Sequence, residues 1–237
     1  MPPNLLALAD LHLDLLYGRD SDGLMTGSRD PAVAAPLFHL VRTTAGNRWL
    51  LSAALSEDQR AEIEEALVAE PVVGDLAEME GRPPVLRGLG PLLDSVGMSL
   101  KEYRGPAFVF PKALPQIAGD VELLPNPSGA RTVPELAWVR SATAAEQPLA
   151  VAHDAAASVI AVCHSARSTA EAAEAGVETA PAYRGRGLAG AVVVAWAVAV
   201  RAEGRLPFYG TQWSNHASRA IARKLGLVAF SEDFHVG

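Results

Sequence analysis

Apolar residues in this chain occur in two kinds of run: segments with apolar positions at helical spacing, and short apolar stretches closed by Gly, Pro, Asn or Asp, which read as strands. Residues 3–17 read as a helix and residues 38–43 as a strand. Ser56-Glu57-Asp58-Gln59 is a capping box, so a helix opens there and runs to about Glu70, where Pro71 stops it. Pro83 and Pro84 precede a short helical run over 85–96, and a strand lies between the breakers Gly105 and Pro111. After a loop rich in Pro, Asn and Gly, residues 134–145 predict a helix. Strands over 149–153, 158–165 and about 171–179 then form an antiparallel meander, with Asp154 and small residues turning its first hairpin.

The strongest apolar run spans 188–203 and is apolar on nearly every face, with Val192, Val193, Val194, Trp196, Val198 and Val200. It stops at Gly204 and reads as a core helix packed on a sheet. A bilayer span needs about 20 apolar residues, so this run is too short for one. A strand over 206–212 follows, then a helix opened by Ser214-Asn215 and closed by Leu225-Gly226, then a last apolar stretch over 227–230.

Ahead of the core helix, residues 179–189 read Thr-Ala-Pro-Ala-Tyr-Arg-Gly-Arg-Gly-Leu-Ala. Such a turn cradles phosphate. Its N–H groups point inward, the first helical turn leaves its own N–H groups without intrahelical partners, and the helix dipole adds about half a positive charge. Gly185 and Gly187 let a diphosphate approach the backbone, and Arg184 and Arg186 supply charge.

Three phosphate-binding patterns compete for the turn. Gly185-x-Gly187-x-x-Gly190 has the form of a dinucleotide fingerprint, but that fingerprint opens a βαβ unit with several further strands and an acid about 20 residues on, whereas 47 residues follow Gly190 and the next strand ends in Gly210-Thr211-Gln212. A nucleotide-triphosphate loop needs a lysine in the turn, and none is there. The third pattern, Arg/Gln-x-x-Gly-x-Gly/Ala, is met by Arg184-Gly185-Arg186-Gly187-Leu188-Ala189, with Pro181 and Tyr183 ahead of it. In this the turn resembles the coenzyme A pyrophosphate loop of the GNAT superfamily of N-acetyltransferases. Trp213-Ser214-Asn215-His216-Ala217-Ser218 through Arg223-Lys224-Leu225-Gly226 resembles the second half of that family's signature.

The resemblance covers about residues 105–237 and implies an α/β (α+β) fold with a mixed, mainly antiparallel sheet flanked by helices. Residues 105–237 would be the acetyltransferase domain. Residues 1–104 carry no resemblance and read as an additional α-rich lobe covering the acceptor side. A degenerate second GNAT half is the alternative, on the faint echo in Arg87-Gly88-Leu89-Gly90, although Pro91 removes an N–H that a cradle would use.

By the same resemblance the cofactor is acetyl-CoA, and its acetyl group passes by direct attack to an amine on a small molecule or peptide. The implied coenzyme-binding positions are Val177, Glu178 and Thr179 on the strand entering the loop, then Arg184, Gly185, Arg186, Gly187, Leu188 and Ala189, with Asn215 and Ser218 at the later helix. An attacking amine must be neutral, so a base is needed. Glu174 and Glu178 lie four residues apart on one strand and share a face unless Gly176 marks a bulge, and Glu174 is placed first. The family's usual acid for the departing thiolate is a tyrosine three residues before the Leu-Gly pair. Ala222 stands there, which leaves Tyr209 or Ser218 as the substitute.

Composition narrows the remaining classes. A content of 49% hydrophobic residues is ample for a core, and a single cysteine, Cys163, excludes an internal disulfide and suits a reducing compartment. The first apolar stretch holds Asp10 and Asp14 and no basic start, unlike a signal peptide, so cytoplasm is expected. The net charge is −7, and residues 1–130 carry 10 basic and 18 acidic side chains. That front half would repel nucleic acid and suits either a cationic amine substrate or simply a solvated acidic surface. No membrane partner is expected, and a homodimer stays open. The histidines and the cysteine lack metal-ligand spacing, and Cys163-His164, as strand neighbours, face opposite ways. Two other classes stay open: a coenzyme A-binding sensor without turnover, and a dinucleotide-binding oxidoreductase.

Overall fold

The protein is described here by a computed structural model over residues 4–30, 32–85, 89–90, 101–116 and 119–237. In chain order the elements are α1 (Leu5–Leu16), β1 (Tyr17–Arg19), β2 (Met25–Ser28), β3 (Phe38–Thr43), β4 (Gly46–Leu51), α2 (Glu57–Val68), the short α3 (Leu76–Met79) and β5 (Glu102–Val109). There follow β6 (Val121–Leu123), β7 (Ala150–His153), β8 (Val159–Ser168), β9 (Ala172–Thr179), α4 (Leu188–Ala202), β10 (Leu206–Gly210), α5 (His216–Lys224) and β11 (Val228–Val236). They form two compact units, one of residues 1–107, 211–215 and 229–237, the other of residues 108–210 and 216–228.

In the first unit the strand order is β4–β3–β11–β5, and β3 pairs antiparallel with both β4 and β11. β3 is buried along its whole length because helices cover both of its faces. Phe38 and Leu40 pack with Ile63 and Leu67 of α2, while Val41 packs with Ala9 and Leu13 of α1. The predicted capping box opens α2: Ser56 and Gln59 each bond the other's backbone N–H.

The buried Arg42 of β3 is paired with carboxylates distant in sequence. Arg42 reaches Glu232 (Nη1–Oε2, 2.7 Å) and Glu70 (Nε–Oε1, 3.2 Å), and Glu232 also accepts bonds from Arg104 (3.0 Å) and the Trp213 indole N–H (2.9 Å). Gly105 is fixed by close approach, since a Cβ there would lie 1.8 Å from the carbonyl oxygen of Thr211. Beside it, Thr211 and Trp213 donate backbone N–H bonds to Pro106 and Arg104.

This unit holds more strand than its hydrophobic pattern showed, since β1, β2 and β4 join the expected β3. β11 also runs well past the apolar stretch 227–230 and carries Ser231, Glu232 and Asp233 buried. The helical run expected over 85–96 and the Arg87-Gly88-Leu89-Gly90 echo fall mostly outside the described residues.

The second unit has the order β10–β9–β8–β7–β6. Pairs β6–β7, β7–β8 and β8–β9 are antiparallel, and β9–β10 is parallel. Its sheet is therefore mixed and mainly antiparallel, with helices packed on it. α4 lays Val192, Val193, Trp196, Ala197 and Val200 on Ala150, Ala161, Cys163 and Ala173, small strand residues that let the helix come close. β-branched residues weaken an isolated helix, so packing holds α4: each buried valine contributes about 1.5–3 kcal/mol. The Trp196 indole N–H donates to Ser165 Oγ (3.2 Å), whose hydroxyl donates to the Gln147 carbonyl (2.8 Å).

The opposite face of the sheet packs Val151, Val159 and Val162 against Leu136 and Val139. Residues 134–145 do not form the expected α-helix but two 3-10 segments, Pro134–Ser141 and Ala144–Glu146. Leu136 leaves helical geometry (φ −111°, ψ 22°), and the extended Thr143 caps a fresh turn. Cys163 sits in the α4-side core, where burial pushes its thiol up, and His164 faces Trp138 on the other side.

Asp233 lies between His12 (3.5 Å) and His39 (3.6 Å). Burial alone would raise its carboxyl, but the two imidazoles outweigh that and hold it well below its ordinary 3.8. A pKa lower in the folded than in the unfolded chain contributes stability above about pH 4 that is lost as pH falls further. Asp233→Asn is expected to lower the unfolding free energy in urea by about 3 kcal/mol at pH 7, with the gap to wild type closing below about pH 4.

Candidate functional site

The site begins where two strands part. β10 pairs with β9 only at Leu206↔Ala172, Pro207↔Ala173 and Phe208↔Glu174, while β9 stays paired to β8 as far as Thr179↔Ala161. One edge of β9 beyond Glu174 is thus left by its neighbour. Ala180 donates its N–H to Ile160 at the β8 edge, and strand alternation then turns the N–H groups of Val177 and Thr179 to the opposite, vacated edge. The hydroxyl oxygen of Thr179 is buried with no hydrogen-bond partner.

Past β9 the chain makes a 3-10 turn at Pro181–Tyr183 and reaches α4 through Gly185 (φ +76°) and Gly187 (φ +81°), both left-handed. Glycine adopts these angles without strain, and Gly187 is the N-cap of α4. Leu188 and Ala189 open that helix, and no acid lies in its first turn. The Tyr183 hydroxyl donates to Asp154 Oδ2 (3.0 Å) in the β7–β8 turn, and the Arg186 guanidinium lies over the Tyr183 ring at 5.0 Å. Arg184 and Arg186 also donate to the carbonyls of Thr179 and Ala182, at 3.2 Å each.

A third cation comes from elsewhere in the unit: Lys224 Nζ of α5 lies 3.7 Å from where a Cβ on Gly187 would be. The sequence reading passed over it, because a lysine in the last turn of a helix reads as a solvated complement to the helix dipole. None of these three cations is ion-paired among the described residues.

Glu174 is buried and ion-paired across the strands with Arg167 (Nη1–Oε2, 2.5 Å). The irregularity of this pair of strands lies in β8, between Ser165 and Arg167, and not at Gly176. Glu174 and Glu178 therefore share a face, but Glu174 is buried and Glu178 exposed. Gly176 is needed for a different reason, since a Cβ there would lie 2.3 Å from the His164 ring. At the end of β10, a Cβ on Gly210 would lie 2.6 Å from Glu174 Oε1.

Tyr209 and Ser218, weighed separately from sequence, are brought together by a 2.7 Å hydrogen bond between their hydroxyls. Burial pushes the Tyr209 phenol up to about 12, against the hydrogen bond to Ser218, which lowers it. Ala222 is fully buried in the α4 core. Asn215 immediately precedes α5 and donates its N–H to the Gln212 carbonyl (3.0 Å).

The GNAT acetyltransferase family model matches residues 149–234, which contain β9, the glycine turn, α4, β10 and α5. Over those residues the sequence is similar to that family. Among solved structures it is similar to a protein from Novosphingobium aromaticivorans assigned to the GNAT family of acetyltransferases, at 19% identity and TM-score 0.44, covering 57% of this chain and 64% of that one. It is similar to a GCN5-related N-acetyltransferase-like protein from Streptococcus suis at 16% identity and TM-score 0.45, over 86% and 85% of the two chains. A GNAT-family acetyltransferase from Colwellia psychrerythraea is similar at 14% identity and TM-score 0.45, over 80% and 76%. The chain spans just under two thirds of the length of the Novosphingobium protein. No curated protein matches the sequence. No helix among the described residues is long and apolar enough to cross a membrane.

Tyr209→Phe removes the hydrogen bond between the two hydroxyls. Chemical denaturation is expected to show a loss of about 1 kcal/mol.

Proposed function

We propose that the protein is an acetyl-CoA-dependent N-acetyltransferase acting on an amine by direct attack. The observation that carries this reading is the glycine turn at the N-terminus of α4, two left-handed residues beside the vacated edge of β9. The residues present fit the coenzyme. A Cβ at Gly187 would occupy the cradle, and the buried Thr179 hydroxyl is a polar group in want of a partner.

Acetyl-CoA, when bound, supplies a thioester whose acetyl group an amine can attack. Gly185, Gly187, Leu188 and Ala189 present backbone N–H groups to the diphosphate, and Arg184 and Arg186 add charge. The outward N–H groups of Val177 and Thr179 would hold the pantetheine arm and stabilise developing charge on the thioester oxygen, with Glu178 in the same stretch. Asn215 and Ser218 complete the set of binding residues.

Glu174 takes the amine proton. Its carboxylate is ion-paired with Arg167 where β9 and β10 part. Tyr209 offers a hydrogen bond to the departing thiolate. Moving a proton from a phenol near 12 to a thiolate near 8.5 would be uphill by about 5 kcal/mol, so Tyr209 is a stabilising donor and not the proton source.

Thermal shift with acetyl-CoA, coenzyme A and nicotinamide dinucleotides tests the first part. The two coenzyme A forms are expected to raise the melting temperature and the dinucleotides to leave it unchanged. Gly187→Val should abolish the shift, and Arg184→Ala should weaken acetyl-CoA binding about tenfold, about 1.4 kcal/mol. An unchanged shift in Gly187→Val would sink the assignment.

Turnover is read by thiol release across an amine library. Glu174→Gln is expected to lower kcat by about a hundredfold or more with coenzyme affinity retained, and Glu178→Gln to have the smaller effect. Wild-type turnover in the double variant would assign proton removal to water, and a wild-type protein that binds the coenzyme without releasing thiol would be a sensor.

A further inference from the structure

Lys224 closes α5, and a lysine in that place ordinarily serves its own helix by facing the last carbonyls. Its ammonium lies instead 3.7 Å from the Cβ position of Gly187, the N-cap of a different helix. The positive end of α4 therefore gathers a cation from outside the loop, with no acid in its first turn and no ion-pair partner for the lysine among the described residues. Cations collected at a positive helix end repel it and one another, and an anion seated there removes the repulsion.

The loop arginines are turned partly away from this point. Arg184 donates to the Thr179 carbonyl, and Arg186 donates to the Ala182 carbonyl and lies over the Tyr183 ring. Lys224 is the cation whose head group stands at the cap itself, on a flexible stem that can follow a ligand.

We propose that Lys224 binds the diphosphate of the coenzyme, completing from α5 a cradle whose backbone part comes from the turn before α4. This rests on the coenzyme reading above. It assigns the ammonium to the diphosphate and not to the ribose 3′-phosphate, because the cap is where the unpaired N–H groups of α4 point.

Calorimetric titration of coenzyme A and of 3′-dephospho-coenzyme A into wild type, Lys224→Met and Lys224→Arg, from low to high salt, tests this. Lys224 is exposed, so the variants are expected to fold, and an unchanged melting temperature checks it. Lys224→Met should weaken both ligands by about tenfold and flatten the salt dependence of binding, and Lys224→Arg should recover most of the loss. Wild-type affinity in Lys224→Met, while Gly187→Val no longer binds, would overturn the role of the lysine and leave the coenzyme reading standing. A loss confined to coenzyme A would move the ammonium to the 3′-phosphate and overturn the assignment to the diphosphate. Binding of neither ligand by wild type would overturn the coenzyme reading itself.

Discussion

The geometry of the second unit depends on β10 leaving β9 after Phe208. Up to that point the two strands are an ordinary parallel pair, and beyond it β9 keeps only its antiparallel partner. Two features meet at the parting. β8 carries its extra residue between Ser165 and Arg167, and such a bulge sharpens local twist. Opposite Arg167 stands Glu174, the last residue of β9 paired to β10, with its carboxylate held by Arg167 and lying against Gly210. A charged side chain thus lies against β10 just past the last paired residue. With the edge vacated, the N–H groups of Val177 and Thr179 have a side to offer a ligand, and the chain can turn through Gly185 and Gly187 into α4.

On the reaction proposed above, magnitudes divide the work within the site. A lysine-like amine with a pKa near 10.4 is neutral in about one molecule in a few thousand at pH 7, a cost of about 5 kcal/mol before any attack. A carboxylate beside a guanidinium cannot draw that proton off a free ammonium, whose pKa lies about six units higher. It can hold the cation in place and accept the proton once attack has made the nitrogen acidic. The same arithmetic makes Tyr209 a donor of hydrogen bonds and not of protons. A thiolate is a good enough leaving group to need no more than that. Ala222, where the family's tyrosine would stand, therefore alters the proton route without excluding transfer.

What the sequence made legible was what neighbouring residues decide together. α4, the capping box of α2, the three meander strands and the glycine turn all rest on local signals, and the structure places them within a residue or a few of expectation. The failures share a cause. β11 reads as ending at Phe230 because Ser231-Glu232-Asp233 looks like a solvated tail; its charges are buried by Arg42, Arg104, His12 and His39, none closer than a hundred residues in sequence. Lys224 reads from sequence only as part of the Arg223-Lys224-Leu225-Gly226 motif, because its nearness to Gly187, thirty-seven positions earlier, is made by the fold. The bulge in β8 leaves no mark in composition, since Ala166 is an unremarkable strand residue. Residues 134–145 satisfied helical spacing, and the departure at Leu136 is a local geometry that spacing does not encode.

The buried charges of β11 also bear on what the front of the chain does. Glu232 and Asp233 arrive at the end of the sequence, and their partners Arg42, His12 and His39 arrive at its start. Breaking a buried pair by removing one partner costs about 3–5 kcal/mol, because a desolvated charge is left behind. A chain cut between residues 104 and 105 would take β3 from β11 and leave two such carboxylates uncompensated, at a combined cost comparable to the whole stability of a small domain. Nor does the acid excess of the front half all face a substrate. Glu70 is spent inside on Arg42, and Asp10, Asp14 and Glu102 are paired with Arg48, Arg19 and Arg82. The front residues therefore hold β11 in its strand whatever they contribute to choosing an amine, and loss of activity on their deletion would report the fold before it reported the acceptor.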